Sequence, residues 1–172
     1  MSDKSARSDG VPAEAPGAVG DIAPPSYGRQ HLGEVSFDEV FPFVTLEKTR
    51  REYTVGGRTY SVKLDSERYH LFKADRACAA CGLLGTRLLL DLAPGALSPH
   101  FNLYAEEAGD LVLMTKDHIV PASLGGGDVP ENFRPMCSPC NVARGNDPSL
   151  TLEQIRERRI VPRPSAKESE AA

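Results

Sequence analysis

From Val35 onward the chain alternates short apolar and polar stretches, and the period of that alternation predicts mostly strands. Between Arg51 and Leu64, polar and β-favouring residues alternate around Gly56-Gly57. Two adjacent glycines supply the positive φ of a tight turn, so this stretch predicts a β-hairpin. Ser66 to Ala74 predicts a short helix leading into Cys78. Arg87 to Leu92, Phe101 to Ala105 and Leu111 to Lys116 read as strands, the last two separated by the acidic turn Glu106 to Asp110. Thr151-Leu-Glu-Gln154 is a capping-box pattern that opens a helix through about Arg159. Residues 1–33 are rich in Ala, Gly, Pro and Ser and hold few large apolar side chains. Such a segment cannot bury enough surface to offset its ordering entropy, so a disordered tail is expected there, and again at 164–172. The expected organisation is α+β: tail 1–33, an N-terminal extension 34–75 with the hairpin, a main domain 76–163 with its C-terminal helix, and tail 164–172.

Composition narrows the function classes. The 172 residues give room for one ordinary domain plus tails. No apolar run approaches the roughly 20 residues needed to span a bilayer. The start MSDKSARSDG is polar, with no apolar stretch behind it, so no secretory signal is expected and a cytoplasmic location is. In that compartment paired cysteines are more often metal ligands than disulfides. The net charge of −4 weighs against tight non-specific binding of nucleic acid. Residues 1–34 carry −2 of it and residues 164–172 carry −1, which leaves a nearly neutral body. Affinity for a polyanion would then come from a homodimer, a partner subunit or specific contacts.

All four cysteines fall in two knuckles, Cys78-Ala-Ala-Cys81 and Cys137-Ser-Pro-Cys140. Two CxxC pairs at turns offer four thiolates to a tetrahedral structural zinc ion. Two disulfides or a redox CxxC are the rival readings. Zinc suits a small domain without tryptophan, because metal binding adds directly to folding free energy.

Between the knuckles runs Asp117-His118-Ile119-Val120-Pro121, then the glycine run Gly125-Gly126-Gly127 and Asn132; the second knuckle leads directly into Asn141-Val-Ala-Arg144-Gly145. This order resembles the HNH endonuclease family: CxxC, DHIxP, a glycine-rich loop, Asn, then CxxC followed by His or Asn and a basic residue. The likeness covers roughly Cys78 to Gly145 and departs from the literal family name at the third position, where Asn141 stands for histidine. It implies a ββα-metal (His-Me finger) core stapled by the four-cysteine zinc, and hydrolysis of phosphodiester bonds in DNA. His118 is the general-base candidate, since imidazole titrates near neutral pH. Asp117 and Asn141 offer hard oxygen ligands, which suit Mg²⁺ or Mn²⁺. By the same resemblance Asn132 orients His118 by bonding across the loop, and Arg144 lies near a phosphate as a nucleic-acid contact.

Successive residues of a regular strand face opposite sides, so Asp117 and His118 can share a site if the strand ends near Lys116. Pro121 fits that ending. His31 reads as tail, and His70 and His100 as surface or packing residues. Arg156, Arg158, Arg159 and Arg163 form a dense basic group that either grips a phosphate backbone or is solvated surface. Two other functions remain open at this point: a zinc-stapled binding module without turnover, and a nuclease acting on RNA.

Overall fold

The computed structural model describes residues 28–160. Five antiparallel strands form the main sheet in the order β1-β4-β5-β6-β7: β1 (Gln30–Val35), β4 (Gly85–Leu92), β5 (His100–Glu107), β6 (Asp110–His118) and β7 (Phe133–Cys137). A separate ribbon pairs β2 (Arg50–Val55) with β3 (Arg58–Lys63). Helix α1 (Phe37–Val40) follows β1, α2 (Glu67–Ala74) follows the ribbon, and α3 (Ser138–Arg144) and α4 (Leu152–Arg158) close the chain. No described helix is long and apolar enough to cross a membrane.

Two expectations need correction here. The chain is already in a strand at Gln30, ahead of Val35, and β1 pairs with β4 from Gln30↔Leu92 to Val35↔Leu88. The segment QHLGEV offers only Leu32 and Val35 as large apolar residues, too few for a readable period; the partner strand supplies what local pattern lacks. Residues 30–33 and His31 therefore belong to the sheet, while the tails expected at 1–27 and 164–172 lie outside the described residues. Second, β6 does not end near Lys116. It pairs with β7 through Asp117↔Arg134 and His118↔Phe133, so the pleat continues to His118.

The ribbon turns at Gly56 and Gly57, whose φ of +58° and +76° are the two consecutive positive values that a tight hairpin turn requires. Its inner face contributes Tyr53 and Val62 to a core shared with Tyr69 and Phe72 of α2, Leu88 and Leu90 of β4 and Phe101 of β5. The same core continues through Met114, Cys137 and Cys140 to Ile155 of α4. Each large side chain buried this way stabilises the fold by roughly 1.5–3 kcal/mol. One core thus holds residues from both sides of position 75. Helix α4 carries both hydrogen bonds of its capping box, Gln154 N–H to Thr151 Oγ1 at 3.2 Å and Thr151 N–H to Gln154 Oε1 at 2.9 Å.

After Leu113 strand β6 parts from β5 and continues against β7. Helix α2 packs against both β6 and β7, and α3 lies against the same two strands. This split of the sheet positions the site.

Candidate metal and catalytic centre

The four cysteine sulfurs gather within 4.8 Å of one another, and Cys81 and Cys137 Sγ are 3.7 Å apart. A tetrahedral ion with Zn–S of about 2.3 Å needs sulfurs about 3.8 Å apart, so the spacing fits zinc. Their electrostatics fit as well. A hydrogen bond from Cys137 draws the Cys78 thiol down to about 4, the same bond holds the Cys137 thiol up, and burial pushes Cys140 up to about 12. Four crowded sulfurs cannot all ionise without a cation among them. The first knuckle also docks directly on β7, where Ala79 N–H donates to Pro135 O at 2.9 Å. Cys137 is the N-cap of α3 and Cys140 lies in its first turn, so the cluster fixes the helix that carries Asn141 and Arg144.

Asp117 is buried, with 4% of its surface exposed. Its Oδ2 accepts from Arg134 Nε on the facing strand and its Oδ1 from Arg144 Nη1 on α3, both at 2.9 Å. Arg144 is itself 5% exposed and donates through Nη2 to Ile119 O at 2.7 Å. Two guanidiniums thus bracket one buried carboxylate, in a place where an unpaired charge would be costly. Each carboxylate oxygen retains a second lone pair for a further ligand. Asn141 donates through Nδ2 to Thr115 Oγ1 at 3.1 Å, and Thr115 in turn donates to Met136 O at 2.7 Å. That chain of bonds commits the amide nitrogen and leaves Asn141 Oδ1 as the ligand end.

His118, one residue further along β6, turns to the other face. Phe133 meets its ring edge-on with centroids 4.9 Å apart, and Lys116 Nζ lies 3.5 Å from the centroid of that same phenyl ring. His118 Nε2 bonds Asp128 Oδ1 at 2.8 Å, and Lys116 Nζ approaches the same oxygen at 3.5 Å. The hydrogen bond from His118, and then the charge of Lys116, hold the Asp128 carboxyl below its ordinary range. The strand alternation that sequence reasoning took to be broken is intact; the two residues reach a common space because it lies across the end of β6. A cavity of about 300 Å³ is lined there by Lys116, Asp117, His118, Asn141 and Arg144.

Asn132 closes the loop between β6 and β7. Its Oδ1 accepts from Val120 N–H at 2.8 Å, and its Nδ2 donates to Val120 O at 3.0 Å and Gly127 O at 2.9 Å. It thereby ties Val120, ahead of the loop's turn, to Gly127 at the end of the glycine run, and holds the segment carrying Asp128, next in sequence to Gly127. Gly126 is required by close approach rather than by φ: a Cβ there would sit 1.8 Å from Val120 O.

The structure thus brings Asp117, His118, Asn141 and Arg144 to one cavity, with Asn132 at the loop beside it. The basic group on α4 is not among them. Arg159 pairs with Glu107, and Arg163 lies outside the described residues. Sequence reasoning missed Arg134, Thr115 and Asp128. Arg134 and Thr115 carry no motif and are identified only by strand register and helix packing. For Asp128 the one available signal was its place after three glycines, where the chain is free to turn back toward His118. Comparison with known proteins adds one finding: no curated protein and no solved structure matches the chain, but residues 106–147, which contain β6, the glycine loop, β7 and α3, match the family model described as HNH endonuclease.

Proposed function

We propose that this chain is a divalent-metal-dependent endonuclease that hydrolyses phosphodiester bonds in DNA, with β6, β7 and α3 as its ββα-metal unit. The observation that carries the reading is the convergence of Asp117, His118 and Asn141 on one cavity inside the stretch that matches the HNH model. Asp117 and Asn141 hold one Mg²⁺ or Mn²⁺; an amide and a carboxylate oxygen are hard donors of the kind these ions prefer. The ion supplies positive charge where the scissile phosphate and its leaving oxygen develop negative charge.

His118 does the proton work. Its Nε2–H donates to Asp128, which leaves the Nδ1 lone pair to take a proton from the attacking water. Phe133 restricts the ring from the side. Asn132 acts one step back by holding the loop that presents Asp128. Arg134 and Arg144 hold Asp117 in its orientation through one bond to each carboxylate oxygen. Arg144 has five N–H donors in all, and those not given to Asp117 and Ile119 border the cavity, where a phosphate oxygen can be met. The four cysteines hold zinc as a structural ion, and zinc in turn fixes α3 and Asn141.

The test is cleavage of supercoiled plasmid in Mg²⁺, in Mn²⁺ and in EDTA, comparing the natural protein with His118→Ala. Metal-dependent nicking or linearisation that falls at least about 100-fold in the variant is expected for loss of a general base. Absence of cleavage in every metal, from folded and zinc-loaded protein, would leave a zinc-stapled binding module instead.

A further inference from the structure

Cations outside the HNH stretch are unevenly spread. In a chain of net charge −4, residues 48–63 carry Lys48, Arg50, Arg51, Arg58 and Lys63 against a single carboxylate, Glu52, a balance of +4. These residues are the β2–β3 ribbon and its approach. Strand alternation sends Tyr53 and Val62 inward and leaves Arg50, Glu52, Thr54, Thr59, Ser61 and Lys63 on an exposed outer face, while the exposed Arg51 and Arg58 flank it on the inward register. Arg50 and Lys63 are register partners at the end of the ribbon away from its turn. Arg50 is held there by Ser61 Oγ at 3.2 Å and by Ser98 Oγ at 3.3 Å, the latter from the loop before β5.

From that end the positive strip continues toward the cavity. His100 stands exposed at the start of β5, two residues after Ser98, which holds Arg50, and two before Asn102, which holds Arg68. Arg68 of α2 is anchored to Asn102 Oδ1 at 3.0 Å, and with Arg29 and Lys116 it lines a hollow of about 370 Å³ where β6 parts from β5. Lys116 also lines the cavity that holds His118. A path of cations therefore runs from the ribbon, by way of Arg68, to the reacting centre.

We propose that the outer face of the β2–β3 ribbon, continued by Arg68 and Lys116, is a binding surface for the phosphate backbone of double-stranded DNA, laid so that the bound strand leads into the cavity at His118. The inference rests on the nuclease reading for its substrate and extends it to residues that the HNH stretch does not include. Duplex is favoured over single strands by the character of the strip. Single-strand binders stack bases on exposed aromatic rings, whereas Tyr53, Tyr69, Phe101 and Phe133 beside this strip are buried. Beside the single carboxylate of Glu52, what it exposes is guanidinium, ammonium and hydroxyl groups, the chemistry of phosphate contact. A two-stranded ribbon is also of a width that the major groove admits.

The experiment measures binding with cleavage silenced, using zinc-loaded His118→Ala protein in metal-free buffer and fluorescence anisotropy of a labelled DNA duplex across a salt series. Adding Arg50→Ala and Lys63→Ala should weaken duplex binding about tenfold or more and lower the salt slope by about two, one per lost phosphate contact. Arg156→Ala with Arg158→Ala on α4 should leave both unchanged. Arg68→Gln, made separately and assayed well below its own melting temperature because its bond to Asn102 is lost as well, should lower affinity with zinc content unchanged. Unchanged duplex affinity in the Arg50/Lys63 variant, or tighter binding of a single-stranded RNA of equal length, overturns the assignment. Plasmid cleavage by the natural protein is scored independently. Cleavage with an unaffected Arg50/Lys63 variant sinks this surface and leaves the nuclease standing, whereas strip-dependent binding without cleavage does the reverse.

Discussion

Asp128 shows how much a single exposed side chain can decide. It contributes nothing to the core, and 79% of its side-chain surface is open. By ordinary reckoning an exposed ion pair adds little stability. Its importance lies in direction: it occupies Nε2 of His118 and so determines which ring nitrogen is free. Asp128→Ala should therefore leave melting temperature and zinc content unchanged while lowering kcat about tenfold with little change in KM, the signature of a misoriented base. Glu at 128 can restore part of the rate, since its carboxylate reaches the same nitrogen. The contact has a pH window too. A carboxyl held below its ordinary value keeps its partner above the usual carboxylate range and loses it as pH falls through the lowered value. Equal losses of rate and melting temperature in Asp128→Ala would mean that the residue merely holds the loop.

At the scale of elements, the cysteine knuckles act on α3 more than on the chain as a whole. The helix has only seven residues and could not persist alone. Its N-cap is Cys137 and its first turn holds Cys140, its last turn is the Arg144–Asp117 pair, and Asn141 stands between them. Cys137→Ser should lower bound zinc from one equivalent toward zero. Because structural zinc binding is itself folding free energy, it should also lower the melting temperature by roughly 10 °C or more. Retention of full zinc and melting temperature would dismiss the four-sulfur site. This is also where sequence and structure can be compared most usefully. The CxxC pairs, the Asp117-His118 step and the Asn141 and Arg144 positions were legible because ligand chemistry imposes residue type and spacing along the chain. The partners that aim them were not: Arg134 faces Asp117 across a ladder, and Thr115 meets Asn141 across a helix–strand packing, both separations that only folding closes. β1 went unread for a similar reason, its six residues being a strand by virtue of β4 rather than of their own pattern. The end of β6 was misread because a local argument about alternation overlooked a cavity placed across the strand terminus.

Across the whole molecule, the buried Asp91 carboxylate, 1% exposed, ties the first strand to the sheet. It accepts a bond from His31 of β1, from Asn102 Nδ2 at 2.7 Å and from Tyr104 Oη at 2.6 Å. Asn102 Oδ1 in turn receives Arg68, so the same network reaches α2 at the edge of the proposed DNA surface. The core beneath runs unbroken from Val40 through the cysteines to Ile155. Such a core predicts one cooperative transition rather than an extension that melts apart from the rest. His31→Ala would leave Asp91 with two neutral donors and no histidine, a loss of about 2 kcal/mol for a buried partner removed, and roughly 5 °C in melting temperature at this size. The chain has no tryptophan, and of its five tyrosines Tyr53 and Tyr60 lie in the ribbon, Tyr69 on α2 and Tyr104 in the sheet, so tyrosine fluorescence reports on these elements while a chromogenic chelator reports zinc release. Both signals should move together to lower temperature in His31→Ala, although His31 is far along the chain from every cysteine. If tyrosine emission shifted while zinc release stayed at its original temperature, residues 34–75 would be a separately folding unit after all, and the continuous core would be carrying no cooperativity across position 75.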